Sequence, residues 1–210
     1  MSDATIVLAG GDPVSADLKA LLPDARFVIA ADSGVHAAEV LGLHVDVIVG
    51  DLDSADPAAV DRAVAAGATV ERYSPQKDAT DLELALEAAD AHGAHDVCVV
   101  GGAGGRLDHL LANLALLASP RFAHLRVTAL VGEARLTVIT DQAELAGAPG
   151  GLLTLVPLGG PAHGVTTEGL EYPLHDEVLD AGTTRGVSNV FLAETATVRV
   201  ERGIVLAVQP

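Results

Sequence analysis

Two aspartates in Gly50-Asp51-Leu52-Asp53-Ser54 stand two residues apart. In extended backbone such residues point to the same side, so both carboxylates face one point while Leu52 turns away. The pair suits a hard cation, because Mg²⁺ takes oxygen ligands and commonly joins one or two carboxylates to substrate phosphates. A solvated acidic turn, with Asp53 or Ser54 capping the next helix, accounts for the same residues. In Lys77-Asp78-Ala79-Thr80-Asp81, Thr80-x-x-Glu83 reads as a capping box and Asp81 suits the first turn of a helix, a placement worth roughly 0.3 to 1 kcal/mol. A helix start leaves Lys77 and Asp78 unexplained. Gly101 to Gly105, with Gly102, Gly104 and Gly105 as candidate phosphate contacts, offer backbone N–H groups ahead of a helix. A tight strand-to-helix turn, with Asp108 as cap, is the structural alternative. Arg106 favours the phosphate reading, since a guanidinium beside such a loop suits bidentate contact and stabilisation of transition-state charge. His109 adjoins Arg106 and Asp108 and is placed to orient them.

The elements that must position these groups alternate. Short apolar runs at Ile6–Ala9, Phe27–Ala30, Val45–Val49, Val70–Tyr73, Val97–Val100 and Val127–Val131 are separated by helical patterns near Ser15–Leu22, Val35–Leu41, Pro57–Ala66, Asp81–His92 and His109–Ala118. Continuous apolar runs suit strands buried on both faces of a parallel sheet. This is an α/β domain of open parallel-sheet, Rossmann-like type, expected over residues 1–133. In such sheets ligands bind outside the carboxyl ends of the strands. Asp32 follows the second run, Asp51 and Asp53 the third, Lys77, Asp78 and Asp81 the fourth, and the glycines the fifth. From residue 134 to 210 the rhythm changes to short β-type runs broken by Gly and Pro, which predicts a smaller all-β domain.

Composition narrows the function. A formal net charge of −17, with 12 Lys and Arg in all, argues against a nucleic-acid partner. Half of the residues are hydrophobic but only 2% are aromatic, so the core is expected from Ala, Val, Leu and Ile. Cys98 is the single cysteine and lies in VCVV, which suits a buried thiol in a reducing cytoplasm. No apolar run approaches the roughly 18 residues of a membrane span, and no targeting signal is read. The residues by themselves predict metal-dependent phosphoryl transfer. A P-loop, a G-x-S-x-G elbow and a Cys/His pair are all missing, so nucleophilic hydrolases are not expected.

In order, ADSG (31–34), GDLDS (50–54), KDATD (77–81) and GGAGGRLDHLLANL (101–114) resemble the motif series of the thiamine pyrophosphokinase family. GLEYPL (169–174) and GVSN (186–189) resemble its thiamine-side motifs. The resemblance spans nearly the whole chain. It implies an α/β domain followed by a β-sandwich domain, a homodimer with thiamine in a cleft involving both subunits, and transfer of the pyrophosphoryl group of ATP to the thiamine hydroxyl with release of AMP. It also implies Asp51, Asp53 and Asp81 as Mg²⁺-binding and catalytic carboxylates, Arg106 and Asp108 as the polyphosphate-side pair, and Tyr172, Ser188 and Asn189 as substrate contacts. Asp32, Lys77, Asp78 and the glycines are assigned to the nucleotide. Three rivals stay open at this point: a pyrophosphokinase acting on another hydroxymethyl heterocycle such as a pterin, a DxD sugar transferase, and a nucleotide-sensing module without turnover.

Overall fold

The computed structural model describes residues 4–104 and 106–210; Gly105, one of the expected phosphate-loop glycines, lies outside them. The chain divides into two compact units, one ending at Leu116 but including His124–Gly132, the other formed by Leu117–Ala123 and Glu133–Pro210.

The first unit is built on six strands, β1 (Ala4–Ala9), β2 (Ala25–Ala31), β3 (Val47–Gly50), β4 (Thr69–Arg72), β5 (Asp96–Gly101) and β6 (Arg126–Val131). They pair in the order β4-β3-β2-β1-β5-β6 and every pairing is parallel. The continuous apolar runs of β1, β3 and β5 follow from this arrangement, because both faces of each strand are covered. On one face Ile6, Leu8, Val28, Ala30, Ile48, Cys98 and Val100 share a core with α1 (Gly34–Leu41) and α2 (Pro57–Ala65). Their neighbours Val7, Ile29 and Val49 are fully buried as well. Helix α3 (Asp81–Ala91), with Leu82, Leu84, Ala85, Leu86, Ala88 and Ala89 buried, lies against β1, β2 and β3. Helix α4 (Leu107–Leu117) follows β5.

The local signals act as their chemistry requires. Asp56 caps α2 by accepting the Ala58 N–H at 3.1 Å with Pro57 at the first helical position, and Thr80 Oγ1 caps α3 by accepting the Glu83 N–H at 3.2 Å. The helical pattern at Ser15–Leu22 becomes a 3₁₀ segment, Ala16–Leu21, instead of an α-helix. None of its residues is fully buried and Pro23 stops it, so no packed apolar stripe draws out a longer helix.

The second unit is β-rich: β7 (Ala134–Ile139), β8 (Gln142–Ala146), β9 (Leu152–Glu168), β10 (Glu177–Leu179), β11 (Asn189–Val190), β12 (Thr195–Arg199) and β13 (Arg202–Gln209). Where short runs broken by Gly and Pro are expected, Leu152–Glu168 forms one 17-residue strand, β9, which changes partner along its length. Its first part pairs with β13 and its last with β12, with a register shift where Gly159 and Gly160 take positive φ. Glycine is what allows the strand to bend there without ending. Leu153 and Leu155 from one part, and Ala162 and Val165 from the other, reach the same apolar cluster with Phe191, Val198 and Val205.

Glycine at position 34 opens α1 where the helix passes directly over β1. A Cβ there would lie 2.0 Å from the Leu8 carbonyl oxygen, and backbone cannot yield as a flexible side chain can. Gly34→Ala is expected to cost about 2 kcal/mol or more. The check is a lower urea midpoint at unchanged slope in equilibrium unfolding.

Candidate active site

A cleft of about 570 Å³ opens at the carboxyl ends of the parallel strands. It is lined by the ends of β1, β2, β3 and β5, by Thr80 and Asp81 at the start of α3, and by Arg106, His109 and Asn113. The strand order reverses between β1 and β5, which is the switch point at which an open α/β sheet leaves a crevice.

Carboxylates gather on one side of the cleft. Asp32, Asp51 and Asp53 each offer an oxygen, and these atoms all lie within 4.8 Å of one another. They descend in burial from Asp32, 7% exposed, through half-buried Asp51 to exposed Asp53. Asp32 Oδ1 is buried with no hydrogen-bond partner among the described residues. Burial raises the Asp32 pKa above the usual carboxylate range; a bond from the Ser33 backbone opposes this, and the charges of Asp81, Asp53 and Asp51 add to the rise. A buried carboxylate oxygen without a donor, facing two more carboxylates, is chemically incomplete. An all-oxygen set of this kind fits a divalent cation such as Mg²⁺.

The backbone is bent to bring these groups together. Asp32 (φ 47°) and Leu52 (φ 63°) both hold left-handed conformations. Asp32 tolerates this better than most residues, and Leu52 is held by packing on the core. Asp32 N–H donates to the Val49 carbonyl at 2.8 Å, locking the end of β2 to β3. Gly50 (φ 141°) permits the approach of α3, since a Cβ there would lie 2.8 Å from Asp81 Oδ1 and 3.3 Å from the Asp32 Cβ. The loop after Asp51 is held by Arg72 Nη1, which donates to the Asp51 carbonyl at 3.4 Å, and by His36 Nε2, which accepts the Asp56 N–H at 3.0 Å. Lys77 Nζ lies 2.5 Å from Asp81 Oδ1 and 3.6 Å from Asp51 Oδ2.

Glycine loops face the carboxylates at the switch point. The Asp12 N–H donates to the Ala103 carbonyl at 2.8 Å and the Gly102 N–H to the Gly10 carbonyl at 3.1 Å, so the loops after β1 and β5 are knitted together. A Cβ on Gly11 would stand 2.5 Å from the Ala103 carbonyl oxygen, and one on Gly104 would strike the Asp12 carboxylate. Close backbone approach is therefore what the glycines provide, with the Asp12 carboxylate standing against Gly104 on this rim. Arg106, mostly exposed, makes two bonds to Asp108, at 3.2 and 2.6 Å. The bonded guanidinium holds the Asp108 pKa down to about 2.

In the second unit, Asn189 is buried and committed to the Tyr172 backbone. Its Oδ1 accepts the N–H groups of Tyr172 at 3.0 Å and Val190 at 2.9 Å, while Nδ2 donates to the Tyr172 carbonyl at 2.7 Å. Tyr172 is 62% exposed. Ser188 sits at φ 58°, with its N–H donating to Thr154 Oγ1 at 3.0 Å.

The cleft thus unites Asp32, Asp51, Asp53, Asp81, Gly102, Gly104 and Arg106 of the expected set. Lys77 stands among the carboxylates without lining the cleft, Asp78 is exposed and outside the lining, and Asp108 acts on Arg106. Gly10, Gly11, Asp12 and Asn113 were not singled out from sequence. The first three follow the apolar run of β1, as Asp32 follows that of β2 and Asp51 and Asp53 that of β3. Asn113 lies four residues beyond His109, a helical spacing that places both on one side of α4, and Arg106 immediately precedes that helix.

Residues 18–129 match the protein family described as "Thiamin pyrophosphokinase, catalytic domain", and residues 139–205 match the one described as "Thiamin pyrophosphokinase, vitamin B1 binding domain". The chain belongs to the thiamin pyrophosphokinase family. Thiamine pyrophosphokinase of Bacillus subtilis (strain 168) is 24% identical over 220 residues, covering 100% of this chain and 99% of that protein. Thiamine pyrophosphokinase 1 of Oryza sativa subsp. japonica is 27% identical over 171 residues, 76% of this chain and 64% of that protein. The crystal structure of the Bacillus subtilis protein superposes with a TM-score of 0.84 at 23% identity and 98% coverage of each chain. Thiamin pyrophosphokinase from Candida albicans gives 0.81 at 15% identity, covering 99% of this chain and 89% of that one. At these identities the structural likeness is one of fold, and it extends over both units.

Within this thiamin pyrophosphokinase fold, the sign of the Asp32 effect is testable. A carboxyl whose folded pKa is raised favours its protonated form in the native state. Ionised Asp32 therefore costs stability above that raised pKa, and the cost vanishes as pH falls below the unfolded value of about 3.9. Asp32→Asn should raise the melting temperature of metal-free protein at neutral pH, by about 2–4 °C per kcal/mol relieved. The difference from wild type should shrink toward acid pH, and added Mg²⁺ should stabilise wild type far more than the variant. Differential scanning fluorimetry across pH, with and without Mg²⁺, provides the check.

Proposed function

We propose that this chain is a thiamine pyrophosphokinase, transferring the pyrophosphoryl group of ATP to the hydroxyl of thiamine to give thiamine diphosphate and AMP. The observation that carries the reading is the pairing, in one cleft, of a glycine rim and Arg106 with a carboxylate group whose buried Asp32 Oδ1 has no partner among the described residues. The carboxylates demand a cation and the rim with Arg106 suits phosphate oxygens, a combination characteristic of phosphoryl transfer. Membership of the family and similarity to named thiamine pyrophosphokinases support thiamine as the acceptor.

Asp32, Asp51 and Asp53 would hold Mg²⁺, with Asp81 beside them; the bound ion supplies Lewis-acid neutralisation of phosphate charge. The glycine loops offer close backbone approach, and Arg106 supplies a charged donor on the polyphosphate side. Asp108 orients that guanidinium. With a pKa near 2 it is a poor base at neutral pH, because an efficient base titrates near the working pH. Asp81 is the better-placed carboxylate for the hydroxyl proton, and proton removal is a small contribution where the transition state is loose. On the acceptor side Tyr172 offers an exposed ring for stacking on a cationic heterocycle, held by Asn189. A homodimer and a cytoplasmic location belong to the same proposal. Exposed Leu107 and Leu111, one turn apart on α4, support self-association, and the buried thiol of Cys98, which forms no disulfide, suits a reducing compartment.

Incubation with ATP, Mg²⁺ and thiamine should produce AMP and thiamine diphosphate in equal amounts, with ADP formation or no turnover counting against the reading. Asp51→Ala and Asp53→Ala should each lower kcat by 100-fold or more, on the order of a lost transition-state electrostatic contact, with an unchanged far-ultraviolet dichroism spectrum. Tyr172→Ala should raise the KM for thiamine by roughly tenfold and leave the KM for ATP within about twofold, in line with about 0.5–2 kcal/mol for a ring-on-cation contact. Steady-state kinetics with each substrate varied separate the two effects.

A further inference from the structure

Four carboxylates, Asp32, Asp51, Asp53 and Asp81, crowd one end of the sheet, and one ammonium is inserted among them. Lys77 Nζ touches Asp81 at 2.5 Å and Asp51 at 3.6 Å, and its side chain is only 15% exposed. It approaches from the β4–α3 connection, where residues 73–80 form neither strand nor helix. The ammonium can therefore withdraw without unpacking the sheet. Asp51 is shared: it offers an oxygen to the group within 4.8 Å of Asp32 and Asp53, and its Oδ2 also faces Lys77. A divalent ion on that group and the ammonium on Asp51 would be like charges leaning on the same carboxylate.

We infer that Lys77 is a tethered counter-ion which occupies the carboxylate cluster while no divalent cation is bound, weakens the cluster's hold on the free ion, and is released to the polyphosphate when metal and nucleotide enter together. The inference rests on the metal-site reading above and adds to it an order of binding. Free metal competes with Lys77, whereas metal–nucleotide supplies an anion to receive it. A side chain with three rotatable donors on a flexible stem suits such an exchange better than a guanidinium fork.

The test measures binding, by Mn²⁺ paramagnetic resonance and by calorimetry, for wild type, Lys77→Met, Lys77→Gln and the charge-retaining Lys77→Arg. With Mn²⁺ alone, the Met and Gln variants should bind about tenfold more tightly than wild type, and the Arg variant within about threefold of it, because only the neutral side chains remove the competing charge. With Mn²⁺–ATP that advantage should disappear or reverse. Equal or weaker Mn²⁺ binding by both neutral variants overturns the inference while leaving the metal site standing. A tenfold gain that persists with Mn²⁺–ATP overturns the release to phosphate. Absence of Mn²⁺ binding from every protein overturns the metal-site reading and this inference with it. The Gln variant carries the test if the Met variant does not fold.

Discussion

Like charges at close range are the constraint around which the catalytic unit is arranged. Carboxylates brought together at the ends of adjacent parallel strands repel one another, and the most buried of them, Asp32, also loses its hydration. A cation among them relieves this repulsion. Lys77 supplies one from within the chain, and the oxygen donor set suits a second, divalent one. Much of the surrounding backbone serves to hold these groups against their mutual repulsion. The left-handed turns at Asp32 and Leu52, the missing side chain at Gly50 and the cap at Thr80 each bring a carboxylate inward.

The opposite wall of the cleft obeys a steric constraint. At the switch point, the loops after β1 and β5 run so close that their carbonyl oxygens occupy the space of a side chain. Glycine there is first a packing requirement. Its consequence is a rim of accessible backbone beside Arg106, which is what an anionic chain of phosphates needs. Packing thus demands the same residues that the proposed phosphate contact would use, for a different reason. The two structural alternatives weighed for these motifs, a helix cap and a tight turn, are both present and both compatible with the site.

The second unit works differently. Its signature residues are mostly spent on holding one another: Asn189 clamps the Tyr172 backbone, and Thr167 Oγ1 accepts the Leu174 N–H at 2.9 Å. What this presents to solvent is an aromatic ring on a braced loop. A motif residue such as Asn189 can thus act through the backbone of another rather than present itself to solvent.

The sequence by itself determined the alternation of strands and helices in the first unit, the β character of the second and the placement of the reactive groups at strand ends. Those features follow from local periodicity, from caps such as Asp56 and Thr80, and from the rule that loops after parallel strands carry the chemistry. The 3₁₀ character of Ala16–Leu21 and the continuity of β9 through its glycines were not legible, because burial and strand pairing decide them. Tertiary structure also decided which acids meet. Asp32, Asp51 and Asp53 come from two strands whose order no local pattern encodes, and Lys77 reaches Asp51 only because β4 lies beside β3. Gly10, Gly11 and Asp12 enter the site because β1 is neighbour to β5, 92 residues away in the chain, and only the folded sheet makes that pairing.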